Sequence, residues 1–215
     1  MRRYGVVTGL LYDVFSGERP LYRPGRVAAI RALELSEGDH VLVLGCGTGL
    51  DLPLIADEIG SSGTITAVDD SRAMLRRSGR RARTLIGRKR SGWPAVRLVL
   101  ADLTRARSVL PPSSPPVDAV LAVNTLSLIP AWRSAWTTGL AAARPGARVA
   151  IADIGRPASG HPVIGLWSRW ISAVGLGDLD ARPWMVVEEG AETVRSRTFW
   201  AGHVEVRAGR TAARS

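Results

Sequence analysis

The residues whose types and spacing point most directly to chemistry form a short run, Gly45-Cys46-Gly47-Thr48-Gly49, immediately after the apolar segment Val41-Leu42-Val43-Leu44. Glycine is needed where a backbone turns sharply and lies against a ligand, because a Cβ would intervene. At the carboxyl end of a parallel strand, such a loop is where a nucleoside binds. A dinucleotide loop would put its third glycine at position 50, which is Leu50, and the Gly-Lys-Ser/Thr ending of a triphosphate loop is missing. Asp69 and Asp70 follow at the expected end of the next strand, where a carboxylate can accept both ribose hydroxyls of an adenosyl group. Asp102, before Leu103, ends a third strand, where it can accept from an adenine amine. Each aspartate alone has an ordinary alternative as a cap or turn residue. Three in order, each at a strand end, argue against coincidence.

The elements that must position these residues alternate. Short apolar runs at 41–44, 65–68, 96–100, 117–123 and 148–154 read as strands buried on both faces. Helices are expected over 51–59, from Ser71 (a good N-cap) through the arginine-rich stretch, and from Pro130 to about Ala143, ended by Arg144-Pro145-Gly146. Beyond Gly155 the pattern changes. Val163, Ile164, Trp167, Trp170, Ile171 and Val174 form one helical stripe. Thr193–Trp200 and His203–Arg207 read as two strands around a tight Ala201-Gly202 hairpin, with Thr211–Ser215 frayed. Strands interleaved with helices predict an α/β fold with a mostly parallel sheet.

Composition narrows the classes. The 215 residues are 46% hydrophobic, enough for a full core. No apolar run is long enough to span a membrane, and Met1-Arg2-Arg3-Tyr4 does not resemble a secretory leader, so a cytoplasmic protein is expected. The single cysteine, Cys46, and three scattered histidines show no metal-ligand spacing, and no metal is expected. The net charge of +10 is local: Ser71–Trp93 holds nine basic residues and no acidic one. That segment suits a solvated helix face, an anionic membrane surface or a phosphorylated partner. Nucleic acid is the weaker reading, since no aromatic interleaves the arginines before Trp93.

Together these residues resemble the class I S-adenosylmethionine-dependent methyltransferases, over roughly Tyr12 to Gly209. Val41–Gly49 resembles the family's first motif, Ala67-Val68-Asp69-Asp70-Ser71 with Met74-Leu75 its ribose segment, and Ala101-Asp102-Leu103 its adenine segment. Leu11-Tyr12-Asp13-Val14-Phe15, Pro24-Gly25-Arg26 and Asn124–Trp132 are most similar to bacterial phospholipid and betaine-lipid N-methyltransferases and to quinone-ring methyltransferases. The resemblance implies a Rossmann-like fold, with a mostly parallel seven-stranded sheet, helices on both faces and a C-terminal antiparallel hairpin. It implies one domain over 1–215, with a cap segment at 1–36, a cofactor core at 37–154 and a substrate-side region at 155–210. The implied cofactor is S-adenosyl-L-methionine, held by Tyr12, Gly45, Cys46, Gly47, Thr48, Gly49, Asp69, Asp70, Met74, Asp102, Leu103 and Asn124.

The implied activity is methyl transfer to a small-molecule or lipid-like acceptor, a phospholipid amine among them, by a cytoplasmic enzyme in peripheral contact with an anionic membrane. No base stands out, and Asp153 and His161 are the two candidates. The Trp167/Trp170 stripe is either ordinary core, the wall of an apolar acceptor pocket or a lipid contact. The family carries Asp or Glu two residues before the first glycine, and here that position is Val43. This departure keeps open a catalytically degenerate, cofactor-binding scaffold or regulatory protein, and the arginine segment keeps open an RNA methyltransferase.

Overall fold

The computed structural model describes residues 21–86, 92–106, 109–111, 114–158, 162–173 and 177–213. Its strands are β1 (His40–Leu44), β2 (Thr64–Asp69), β3 (Ala95–Leu100), β4 (Val117–Val123), β5 (Ala143–Ile154), β6 (Ala191–Phe199) and β7 (Val204–Thr211). Its helices are α1 (Arg23–Ala32), α2 (Leu52–Ile59), α3 (Arg72–Ile86), α4 (Trp132–Leu140), α5 (Pro162–Ala173) and α6 (Met185–Gly190). The strands form one sheet in the order β3-β2-β1-β4-β5-β7-β6. β3 through β5 pair in parallel, and β7 runs antiparallel between β5 and β6. This is the Rossmann-like, seven-stranded arrangement expected from the sequence.

The sheet separates two cores, and strand periodicity decides which side chain enters which. Val41 and Val43 of β1 face α1, α2 and α3, alongside Ile30, Leu33 and Ile55. Leu42 and Leu44 face the other way, toward Trp136 of α4 and Val187 of α6. Every residue of β1 is buried, which a central parallel strand covered on both faces requires. Burying each such Leu or Ile is worth roughly 1.5–3 kcal/mol. Helix starts follow local chemistry: Pro24 and Pro53 sit in the first turns of α1 and α2, and the Ser71 hydroxyl accepts the Met74 amide at 3.4 Å to cap α3.

Several boundaries differ from the sequence reading, and α1 and α6 have no counterpart in it. α4 is shorter than expected, and β5 begins already at Ala143. Val117 pairs with Ala143, so the Pro-Gly turn lies within the strand as an irregularity before the regular ladder resumes at Arg148 opposite Ala119. The C-terminal hairpin is present, but its connection is a 3-10 turn, Trp200–Gly202, with Trp200 and Ala201 in the left-handed region. Thr211 pairs with Ala191 and so ends a strand instead of fraying. No helix of the described residues is long and apolar enough to cross a membrane.

Candidate active site

The strand order reverses direction between β1 and β4, and the crevice beyond their carboxyl ends is where open α/β sheets bind ligands. The glycine run leaves β1 at that point. Its first two glycines serve different ends. At Gly45 a Cβ would lie 2.2 Å from the Thr125 side chain, whose hydroxyl donates to the Gly45 carbonyl at 2.8 Å. Gly45 thus lets the loop close on the segment after β4. Gly47, at φ +53°, has no atom of the described residues within 4 Å of where a Cβ would stand. That face of the loop is open to a ligand. The Cys46 amide donates to the Val68 carbonyl (2.9 Å), and Gly49 donates to Cys46 (2.9 Å), closing the turn.

Asp69 holds this loop in place. Its carboxylate accepts the Gly47 amide at 2.8 Å and the Ser71 amide at 2.9 Å. Burial pushes its carboxyl up, opposed by those two amides, while the Asp70 charge raises it further. Asp70 itself is exposed. Asp102 is exposed as well and accepts the Thr104 amide (2.9 Å) and hydroxyl (2.6 Å), which hold its carboxyl below the usual range. Leu103 beside it is buried, and Met74 is half-buried in the first turn of α3. Cys46 is buried, and desolvation pushes its thiol up, so it is no nucleophile. Thr48 is buried, with its carbonyl accepting from Arg81 at 3.0 Å. Asn124, at φ +48°, donates its amide to the Ala152 carbonyl, and its buried side-chain oxygen has no hydrogen-bond partner among the described residues. Tyr12 and His161 lie outside the described residues.

Asp153 closes β5 and is fully buried. It accepts the Ser127 hydroxyl (2.6 Å), the Ser127 amide (3.1 Å) and the Ile154 amide (2.8 Å), while burial pushes its carboxyl up. Its bonds anchor the Leu126–Leu128 turn after β4. A carboxylate enclosed in this way has no face turned to an acceptor.

Other residues in and around the crevice take their places only in the fold. Arg26 of α1 and Asp51, just after the glycine run, form a buried ion pair that ties α1 to the loop. Arg26 stood in the Pro24-Gly25-Arg26 stretch, but nothing local named its partner. Val43, where the family carries an acid, lies in the core beside α1. His203, at the entry to β7, is fully buried at the centre of a network. Ser168 gives its hydroxyl proton to Ile164 (2.8 Å), so it accepts from His203 Nδ1 (2.9 Å), and the Gly155 carbonyl lies 3.3 Å from the same nitrogen. Nε2 is therefore the acceptor for the Tyr22 hydroxyl at 3.1 Å, whose oxygen accepts Trp167 Nε1 at 3.4 Å. Burial lowers the pKa of this imidazole and keeps it neutral.

Two sequence expectations about surfaces are corrected. The arginines of α3 are not one solvated face: Arg72, Arg76, Arg80 and Arg83 are exposed, but Arg77 and Arg81 are half-buried, and Arg81 turns back to the glycine loop. The helical spacing of 77 and 81 puts both on the inward side. The tryptophan stripe of α5 splits. Trp167 and Ser168 turn inward to Tyr22 and His203, whereas Val163, Leu166 and Trp170 are exposed at 78%, 64% and 46%. Spacing identified an apolar helix, but among the described residues only part of its circumference is covered.

Comparison with known proteins agrees with this geometry. Residues 41–146 match a family described as a methyltransferase domain. A curated relative from Streptomyces fradiae, described as an uncharacterized 37.1 kDa protein in transposon TN4556, is 28% identical over 122 residues, which is 57% of this chain and 32% of the relative. This chain thus spans about a third of that relative's length. A SAM-dependent methyltransferase from Aquifex aeolicus is similar in structure, with a TM-score of 0.64 at 20% identity, over 98% of this chain and 100% of that one. A geranyl diphosphate methyltransferase in complex with GPP and sinefungin gives 0.64 at 16% identity, over 87% and 77%. The open glycine loop and the carboxylate beneath it fit S-adenosylmethionine, the cofactor this domain implies. Residues 41–146 thus match a methyltransferase domain, and the chain shares the fold of the solved SAM-dependent methyltransferase from Aquifex aeolicus.

Proposed function

We propose that this protein transfers a methyl group from S-adenosylmethionine to a small or lipid-like acceptor, with a phospholipid amine as the leading candidate. The observation that carries the reading is the glycine loop itself: Gly47 is open on its outer face, and its amide is pinned by Asp69 at the reversal point of the sheet. The open backbone face at Gly47 and the Asp69 carboxylate would hold the adenosyl and ribose parts, with Asp102 and Leu103 bordering the adenine and Asn124 near the methyl-transfer end. Asp51, paired with Arg26, is the buried carboxylate next to the loop in a chain whose usual acidic position is Val43. The sulfonium supplies an electrophilic methyl group with a neutral leaving group. The protein's own task is to align the nucleophile and exclude water.

Asp153 is committed to amides and a hydroxyl, which favours an acceptor that needs no strong base, such as a neutral amine. The exposed apolar face of α5 supports an amphipathic acceptor at a membrane surface. Calorimetry with S-adenosylmethionine and its demethylated product tests the cofactor. Transfer of labelled methyl groups to an extract fractionated into lipids, RNA and small metabolites tests the acceptor. Label in the lipid or metabolite fraction is expected. Label confined to RNA overturns the acceptor class, and cofactor binding with no transfer anywhere makes the protein a scaffold.

A further inference from the structure

A groove of about 840 Å³ runs between α1 and the edge strand β6. In α1, Arg23, Val27 and Arg31 recur every four residues and share one helix face. In β6, Arg195, Arg197 and Phe199 alternate onto one face of the sheet, next to Val206 of β7. The result is an aliphatic floor, including Val27 and Val206, rimmed by four guanidinium groups. Arg195 is paired with Glu34. Arg23, Arg31 and Arg197 have no acidic partner among the described residues. In the sheet, strands β4 and β5 lie between β7, which lines this groove, and β1, which carries the glycine loop.

We propose that this groove binds an anionic phospholipid of a membrane surface, with its phosphodiester between the arginines and an acyl chain along the floor. Guanidinium forks match phosphate oxygens in a bidentate geometry, and the aliphatic floor is covered only by an apolar chain. A second copy of this protein seated there would bring like charges together. Among the described residues Phe199 is the single aromatic lining the groove, which argues against a stacking platform for bases. Trp200, which follows Phe199, is exposed and donates its indole N–H to the Leu21 carbonyl at 2.8 Å. Chain segment Leu21–Pro24 thereby links the groove to Tyr22, the partner of Trp167 on α5. Tyr22, next to Arg23 of the groove, thus meets the inward side of α5, and the molecule carries both a basic groove and an exposed apolar helix face, the two features that an interfacial protein uses. The proposal extends the lipid-like reading above, but it does not depend on methyl transfer.

The test is co-sedimentation of the full chain with vesicles of phosphatidylcholine alone or of phosphatidylcholine with phosphatidylglycerol, without cofactor or acceptor. Binding is expected only with the anionic vesicles. R23Q/R197Q is expected to bind on the order of 10- to 30-fold more weakly, while R76Q/R80Q on the exposed side of α3 stays within about twofold. Val27→Asn on the floor is expected to weaken binding several-fold. Circular-dichroism melts matching the parent confirm that each variant is folded. Equal binding to both vesicles, an unaltered R23Q/R197Q, an unaltered Val27→Asn or a larger loss in R76Q/R80Q overturns the proposal. Release from vesicles by inorganic phosphate would make the groove a free-phosphate site, and release by single-stranded RNA a nucleic-acid surface; either result also overturns it. Because no methyl transfer is read, failure here leaves the enzymatic reading standing, and the reverse holds as well.

Discussion

Asp69 and Asp153 are the same residue at the same kind of place, the carboxyl end of a sheet strand, and each accepts two backbone amides. Around Asp69 the loop it grips is open at Gly47. Around Asp153 the space is closed by Ser127, Ile154 and the segment near Gly177, where a Cβ would lie 3.1 Å from the Ser127 hydroxyl. Both carboxyls are pushed up by burial. A perturbed carboxyl is therefore no guide to which one meets a ligand. The open or closed state of the neighbouring backbone is the discriminating feature.

The hardest way to break that contrast uses a third buried carboxylate. Arg26→Ala leaves the Asp51 charge buried without its guanidinium and should cost about 3–5 kcal/mol of stability, read by chemical denaturation. A loss below about 1 kcal/mol would mean that the pair is not what ties α1 to the loop. Asp153→Ala strands the Ser127 and Ile154 amides and should cost about 2–4 kcal/mol, while cofactor affinity changes by less than about threefold in calorimetry. A large loss of affinity with little loss of stability would reverse the roles assigned to the two aspartates. Asp69→Asn should weaken cofactor binding by about 30- to 100-fold, whereas Asp70→Asn stays within about twofold.

The smallest effect concerns pH. Burial lowers the folded-state pKa of both His203 and His40 from 6.5. Below about 6.5 the unfolded chain takes up protons that the folded chain resists, so stability falls as pH drops from 7 toward 5 and has no histidine slope above 7. Each histidine contributes at most about 1.4 kcal/mol per pH unit. The raised carboxyls of Asp69 and Asp153 act in the opposite sense, so the informative measurement is the difference between His203→Gln and the parent across thermal melts. An unchanged acid slope would show that His203 is not held neutral.

Much of the sheet was legible because apolar runs and period-two alternation are local properties. β4 matched its expected span to the residue, and β1, β2 and β3 to within a residue at each end. β6 was harder to delimit. It is an edge strand exposed along nearly its whole length, so neither face carries an apolar signature, and its start at Ala191 is set by pairing with Thr211. The glycine run was legible because left-handed backbone and close approach demand one residue type. Arg81 was not, because the arginines of α3 look alike in sequence and only the approach of α3 to Thr48 singles one out.

Sequence alone settled the alternation of the central strands and helices, though not α1 or α6, together with the position of the glycine loop and the chemistry of the residues at its edges, since backbone sterics and solvation act on neighbours along the chain. Which of those residues face open space was settled by the folded molecule. Asp153 meets Ser127 from 26 positions away, and His203 meets Tyr22 from 181. Partners so distant are chosen by how the sheet stacks its crossovers, and the burial that results decides whether a polar group anchors the structure or is offered to a ligand.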